Sequence, residues 1–95
     1  MNMSPKKVYV DDAFNLFVEY ADGEIKKLDL TQALAGSSLV RNITLCKQVF
    51  LEDGYAITWP NGMSLDPDHV YQDGTSVKKI PVASSYSEKI ERLYQ

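Results

Sequence analysis

Two segments of the chain alternate hydrophobic and polar residues in a pattern that predicts two β-hairpins. In each segment the large apolar side chains occupy every second position, which is the period of a half-buried strand. An Asp-Gly pair divides each segment, at residues 22–23 and at residues 53–54, and supplies the positive φ that tight hairpin turns need. The predicted strands are residues 14–20 with 25–30 and residues 48–52 with 55–59, and residues 8–10 form a further short strand.

After each hairpin the period changes, and residues that cap helices follow. Asp29 or Thr31 precedes the first predicted helix, and Asp66 with Pro67 opens another, since an acidic cap followed by proline suits a first helical turn. Pro60 ends the second hairpin, because proline has no N–H to donate to a strand ladder. The predicted helices are residues 32–35 and 66–73, and residues 39–45 form a loop with one helical turn.

The end of the chain predicts an edge strand and an amphipathic helix. Residues 77–82 contain Lys78, Lys79 and Pro81, which discourage further strand pairing. Residues 85–88 match a capping box for the final helix. Its apolar stripe packs either on the protein's own sheet or on a partner, and we favour the intramolecular contact. The stripe consists of Tyr86, Ile90, Leu93 and Tyr94.

These elements predict an α+β fold: a small antiparallel sheet built from two β-hairpins with short helices, plus a C-terminal helix. Residues 1–74 form the α+β domain, and residues 75–95 form a C-terminal extension. A length of 95 residues with 44% hydrophobic residues is typical of one globular domain. No apolar run approaches the ~20 residues of a membrane helix, and the N-terminus lacks the pattern of a secretory signal. We therefore expect a cytoplasmic protein without a membrane partner.

The second half of the chain carries the whole of the net charge of −3. Residues 1–47 contain six basic and six acidic residues, whereas residues 48–95 contain four basic and seven acidic residues. Proteins that bind DNA or RNA through phosphate contacts normally present a basic face. We therefore expect the partner to be a protein or a second copy of this chain, not a nucleic acid.

The sequence offers few groups for catalysis. Cys46 is the single cysteine, and its apolar neighbours predict a buried thiol. Asp66, Asp68 and His69 have the chemistry of metal ligands, but on one helical turn they point in divergent directions, so we favour helix capping. The sequence contains no phosphate-binding loop and no nucleophile elbow. We expect no catalytic residue, no metal and no cofactor.

The most distinctive string of the chain is Trp-Pro-Asn-Gly-Met-Ser-Leu-Asp-Pro-Asp at residues 59–68. Trp59, Asn61, Met63 and Asp66 are candidate binding residues, because they can surround one concavity. Alternatively Trp59 belongs to the core, the next residues form a turn and Asp66 caps a helix. We favour this structural role, since every residue then has a local function without a ligand.

Several short motifs together resemble those of a known family. They are the Ala-Asp-Gly-Glu turn at residues 21–24, Leu-Asp-Leu at 28–30, Trp-Pro-Asn-Gly at 59–62, Leu-Asp-Pro at 65–67, and Tyr71. Over about residues 8–71 the chain resembles the prokaryotic domain of unknown function 2442. The resemblance implies an α+β fold with antiparallel strands and short helices, and it implies no catalytic site.

The resemblance also bears on the biological role. In that family some members are followed by a helix-turn-helix domain, and some genes neighbour other small genes in the manner of toxin–antitoxin pairs. About two dozen residues follow Tyr71, which is too few for a three-helix DNA-binding domain.

The sequence therefore predicts a non-enzymatic protein-interaction module, the partner or antitoxin-like member of a small prokaryotic gene pair. Its contact surface includes residues 59–68 or the stripe of residues 86–94, which both combine aromatic and polar side chains as interface cores do. The alternative is a nucleic-acid-binding transcriptional autoregulator, and a third hypothesis is a small metal-dependent hydrolase.

Overall fold

A computed structural model describes residues 4–80, which form two antiparallel sheets and short helices. The strands are β1 (Pro5–Val10), β2 (Asn15–Tyr20), β3 (Ile25–Asp29), β4 (Phe50–Glu52), β5 (Ala56–Thr58), β6 (Ser64–Leu65) and β7 (Thr75–Val77). The helices are α1 (Leu30–Ala33), α2 (Ile43–Cys46) and α3 (Pro67–Asp73), with a 3-10 helix at Ser38–Arg41.

The strand orders are β1-β2-β3-β7 in one sheet and β4-β5-β6 in the other. The α+β fold class with antiparallel strands and short helices is thus confirmed, and the two predicted hairpins lie in different sheets. The helix predicted after residue 85 lies outside the described residues. Within residues 4–80 no helix is long and apolar enough to cross a membrane.

The hydrophobic alternation of β2 determines the inner face of the four-stranded sheet. Leu16, Val18 and Tyr20 have no exposed surface. Val10 of β1 and Leu28 of β3 both pair with Leu16, so the three strands present aliphatic side chains at the same level of the sheet. This face packs toward the helices and the second sheet, and together they form one core.

Both Asp-Gly turns adopt the predicted positive φ. In the second hairpin Asp53 has φ 55° and Gly54 has φ 71°, and the Tyr55 N–H donates to the Glu52 carbonyl over 3.0 Å. Two successive residues with positive φ define a type I′ turn, whose twist matches that of the flanking strands. In the first hairpin Gly23 supplies a φ of 90°.

Trp59 connects the second sheet to α2. Its side chain is 1% exposed, and the indole Nε1–H donates to the carbonyl oxygen of Cys46 over 2.8 Å. A buried indole needs such a partner, because an unpaired donor in the core is destabilising. Cys46 is itself fully buried, and burial raises the pKa of its thiol. The predictions of a buried Cys46 and of a core role for Trp59 are confirmed.

The second sheet contains a strand that the sequence pattern did not predict. After the turn at residues 60–62 the Trp59 N–H donates to the Met63 carbonyl over 2.9 Å, and β6 then pairs with β5. With only two residues, β6 is too short to show a period-2 pattern. Its ladder nevertheless places Leu65 opposite Ile57.

Two element boundaries also differ from the prediction. The edge strand expected over residues 77–82 shares only Val77 with β7, which forms the edge of the sheet at Thr75–Val77, and residues 78–80 are not in a strand. Val77 pairs with Ile25, the first residue of β3, so the ladder has no partner beyond it. The first helix begins at Leu30, two residues earlier than expected, and Asp29 is its cap.

We expect the Trp59→Ala variant to lose about 3–5 kcal/mol of unfolding free energy, since it removes a large buried ring and leaves the Cys46 carbonyl unpaired. Denaturant unfolding measures this loss. Phe50→Ala is the control, because Phe50 is 43% exposed and its truncation is expected to cost about 1 kcal/mol or less. A Trp59→Ala variant as stable as Phe50→Ala would contradict the core role.

Candidate binding groove

Helix α3 begins through local hydrogen bonding that the sequence predicts. Asp66 caps it, because the Asp66 carboxylate accepts the Asp68 N–H over 3.0 Å. Pro67 occupies the first helical position, where a missing N–H costs nothing. The helix ends at Asp73, and the Gly74 N–H donates back to the Val70 carbonyl over 2.8 Å.

The inner face of the four-stranded sheet holds α3 through Tyr20. The Tyr20 hydroxyl donates to the Pro67 carbonyl over 2.8 Å, in a buried position. The Tyr71 ring meets the Tyr20 ring edge to face, with 4.8 Å between the centroids, and Val70 is 2% exposed. Three side chains therefore determine how α3 lies against the sheet.

At Gly74 the backbone that follows α3 lies almost in contact with β3. A Cβ atom at this position would lie 2.8 Å from the Val70 carbonyl oxygen and 2.9 Å from the Lys26 Cβ. Real Cβ atoms do not approach other atoms this closely, so a side chain here would push α3 away from β3. Glycine thus allows α3 to pass directly into β7, which pairs with β3.

A polar network surrounds the exposed edge of Tyr71. The Tyr71 hydroxyl donates to the Asp22 carboxylate over 2.6 Å, and the Lys26 ammonium lies 4.8 Å from the centre of the Tyr71 ring. This hydrogen bond is the main reason that the pKa of Tyr71 rises to about 12 and that the pKa of Asp22 falls. Ser76 extends the network by accepting from Lys26 and donating to Glu24.

Between α3, β3, α1 and β6 lies an open depression, which we call the binding groove. It consists of two adjoining cavities of about 220 and 400 Å³, which share Leu28, Ala33 and Asp73. The first cavity is also lined by Leu65, His69 and Val70, and the second by Lys27, Asp29, Gln32 and Thr75.

The binding groove has an aliphatic floor and a polar rim. Leu28 and Leu65 are half-buried and Val70 is buried, so the floor is apolar. The polar side chains of the rim are all exposed. This arrangement can accept an aliphatic side chain on the floor while polar groups of the same ligand stay at the rim. The polar rim residues are Lys27, Asp29, Gln32, His69, Asp73 and Thr75.

The four sequence-predicted binding residues that the structure describes do not line the groove. Trp59 is in the core, and Met63 is half-buried against that core. Asn61 is exposed, but its carboxamide oxygen accepts the Met63 N–H over 3.0 Å and so serves the turn. Asp66 is occupied as the cap of α3. The other four candidates, Tyr86, Ile90, Leu93 and Tyr94, lie outside the described residues.

The residues considered as metal ligands have separate roles. Asp66 caps α3 through the N–H of Asp68, and the side chain of His69 is exposed on the rim of the groove. Within the described part of the chain, no three His, Cys, Asp or Glu side chains are grouped closely enough to hold a metal ion.

Sequence reasoning missed the residues that line the groove. Leu28 and Leu65 belong to different hairpins, so only the tertiary structure places them together. One local signal was present: His69 and Asp73 are four residues apart on α3, and such residues share a helix face. This signal alone does not predict the groove, because the position of α3 on the sheet must also be known.

A comparison with protein-family models gives a match over most of the chain. The family model described as "Protein of unknown function (DUF2442)" matches residues 5–76, which is more than half of the chain and includes β1 to α3. The resemblance noted from the sequence motifs is therefore confirmed. No curated protein and no solved structure matches the chain.

In the Asp22→Asn variant we expect the pKa of Tyr71 to fall from about 12 toward its ordinary value near 10, since the charged acceptor of its hydroxyl is lost. NMR titration of the tyrosine ring carbons measures the change. A raised tyrosine pKa stabilises the fold below pH 10, and the contribution disappears as the pH rises through about 12. Glu52→Gln is the control, because it neutralises an exposed carboxylate of β4, which belongs to the other sheet. An unchanged Tyr71 pKa in Asp22→Asn would contradict the assignment.

Proposed function

We propose that this chain, which belongs to the family described as "Protein of unknown function (DUF2442)", is a non-enzymatic protein-interaction module of the prokaryotic cytoplasm. The binding groove is the surface that it offers to a protein partner. The composition of the groove carries this proposal, because the aliphatic floor lies inside a rim of exposed polar side chains. Protein interfaces are organised in the same way, with an apolar centre and a polar rim.

The groove is suited to a segment of a partner chain because its walls are already formed in the free protein. Its walls come from regular elements, and α3 is held by the buried contact of Tyr20 with Pro67. Because these walls are formed before binding, little conformational entropy is lost when the partner docks. Half-buried Leu28 and Leu65 then lose their remaining contact with water, which favours association.

The partner that we propose is the protein encoded by an adjacent small gene. In this proposal the chain is the partner or antitoxin-like member of the pair, as the resemblance implies for some members of the family. A second copy of this chain is the competing occupant, and the mass of the free protein in solution distinguishes the two.

Two other functions predict different results for the purified protein. A nucleic-acid-binding autoregulator would retain labelled duplex DNA at low salt and release it at high salt. A metal-dependent hydrolase would contain stoichiometric metal and lose its activity when the metal is removed. The interaction module proposed here instead forms a stoichiometric protein complex.

We expect the chain to copurify with the product of the adjacent gene when both are expressed together. Ala33→Trp is expected to abolish the complex, because Ala33 is exposed, lines both halves of the groove and would fill it with an indole ring. Size-exclusion chromatography with light scattering measures the mass and stoichiometry of the complex.

Ala21→Trp is the matched control for this experiment. Ala21 is equally an exposed alanine, but it lies in the turn between β2 and β3, away from the groove. The complex should survive Ala21→Trp. If Ala33→Trp binds the partner as well as Ala21→Trp does, the groove is not the interaction surface. The same conclusion follows if the wild-type chain and the adjacent gene product form no complex.

A further inference from the structure

We propose that the segment bound in the groove is basic as well as aliphatic: a Lys or Arg of the partner faces Asp73, and a neighbouring aliphatic side chain lies on the Leu28–Leu65–Val70 floor. This inference rests on the proposed function and adds the chemistry of the partner. It combines the apolar floor of the groove with the distribution of charge around it.

The part of the chain that forms the second sheet, α3 and β7 is uniformly acidic. Between Lys47 and Lys78 the sequence contains no Lys or Arg, whereas it contains five acidic residues. The acidic side chains of this part of the chain attract a basic segment and repel an acidic one, and Lys27 of β3 is the one lysine that lines the groove. The five residues are Glu52, Asp53, Asp66, Asp68 and Asp73.

Asp73 occupies a position where a helix by itself disfavours a carboxylate. It is the last residue of α3, and no basic residue lies in the last turn of this helix. The carbonyl groups at a helix C-terminus carry partial negative charge, so a carboxylate there is stabilised by a nearby cation. A cationic side chain of the partner would interact with the Asp73 carboxylate and with these carbonyls together.

The other carboxylate of the groove is already engaged within the protein. Asp29 accepts the Thr31 N–H over 2.9 Å and the Thr31 hydroxyl over 2.6 Å, and these contacts lower its pKa. Among residues 4–80 the ion pairs are Lys26 with Glu24 and Lys47 with Asp12, and neither includes Asp73. Lys27 and Asp29 line only the second cavity, whereas Asp73 lines both cavities and is the carboxylate that lines the first.

The test uses the full 95-residue chain and two synthetic peptides of equal length. One peptide alternates Leu with Lys, and the other alternates Leu with Glu. Titrations followed by amide NMR shifts measure affinity and locate the contact. We expect the Leu-Lys peptide to shift the amides of Ala33, Leu65 and Val70, and to bind about tenfold more tightly than the Leu-Glu peptide.

Two charge-reversal variants separate the role of Asp73 from that of the overall charge. Asp73→Lys should lower the affinity for the Leu-Lys peptide about tenfold, since attraction between the peptide lysines and the rim becomes repulsion. Glu52→Lys changes the net charge by the same amount on an exposed residue of β4, away from the groove, and should change the affinity less than twofold.

The inference would be overturned if the two peptides bound equally well or if neither bound. It would also be overturned if the shifts were confined to residues outside the groove, or if the two variants had equal effects on affinity. None of these results decides the proposed function, which is tested separately by the Ala33→Trp variant. If Ala33→Trp still blocks the complex with the adjacent gene product while the charge variants behave alike, the groove is the interaction surface but its partner is not selected by basic residues.

Discussion

The hydroxyl of Tyr20 donates to the carbonyl of Pro67 in the interior of the protein, and the position of α3 follows from this contact. Tyr20 has no exposed surface and belongs to the central strand β2, while Pro67 is the first residue of α3. Without the hydrogen bond, the buried Tyr20 hydroxyl would lack a partner, which typically costs about 1–3 kcal/mol. Together with the packing of Tyr71 and Val70, the hydrogen bond therefore favours one position for α3, and the groove lies beside the helix in that position.

The acidic character of α3 supports the same contact. Burial, and then the negative charge of Asp68, raise the pKa of Tyr20, so its hydroxyl stays protonated and remains a donor at all physiological pH values. The carboxylate of Asp66 caps α3 and that of Asp68 lies in its first turn, where negative charge is favourable. The acids that make this side of the protein attractive to a basic partner thus also stabilise the helix that forms the groove.

Local sequence patterns predicted the elements of this fold well, but not the groove. Asp53 and Gly54 determine a turn by their backbone preferences, and Asp66 with Pro67 begins a helix by hydrogen bonding within a few residues, so both could be derived from the sequence. The groove depends on Leu28 and Leu65 lining the same cavity, and no local rule places together two residues that belong to different sheets. Trp59 was a candidate binding residue for which a core role was favoured, and its burial and its hydrogen bond to the Cys46 carbonyl confirm the core role.

Amide hydrogen exchange in the Tyr20→Phe variant tests most directly whether the Tyr20 hydroxyl holds α3 in place. The ring is retained, so packing is preserved while the donor to the Pro67 carbonyl is lost. We expect protection to fall at the Val70 and Gly74 amides, which donate within and just after α3, while the paired amides of β1 and β2 keep their protection. Unchanged protection in α3, or an equal loss throughout the protein, would contradict this role of the Tyr20 hydroxyl.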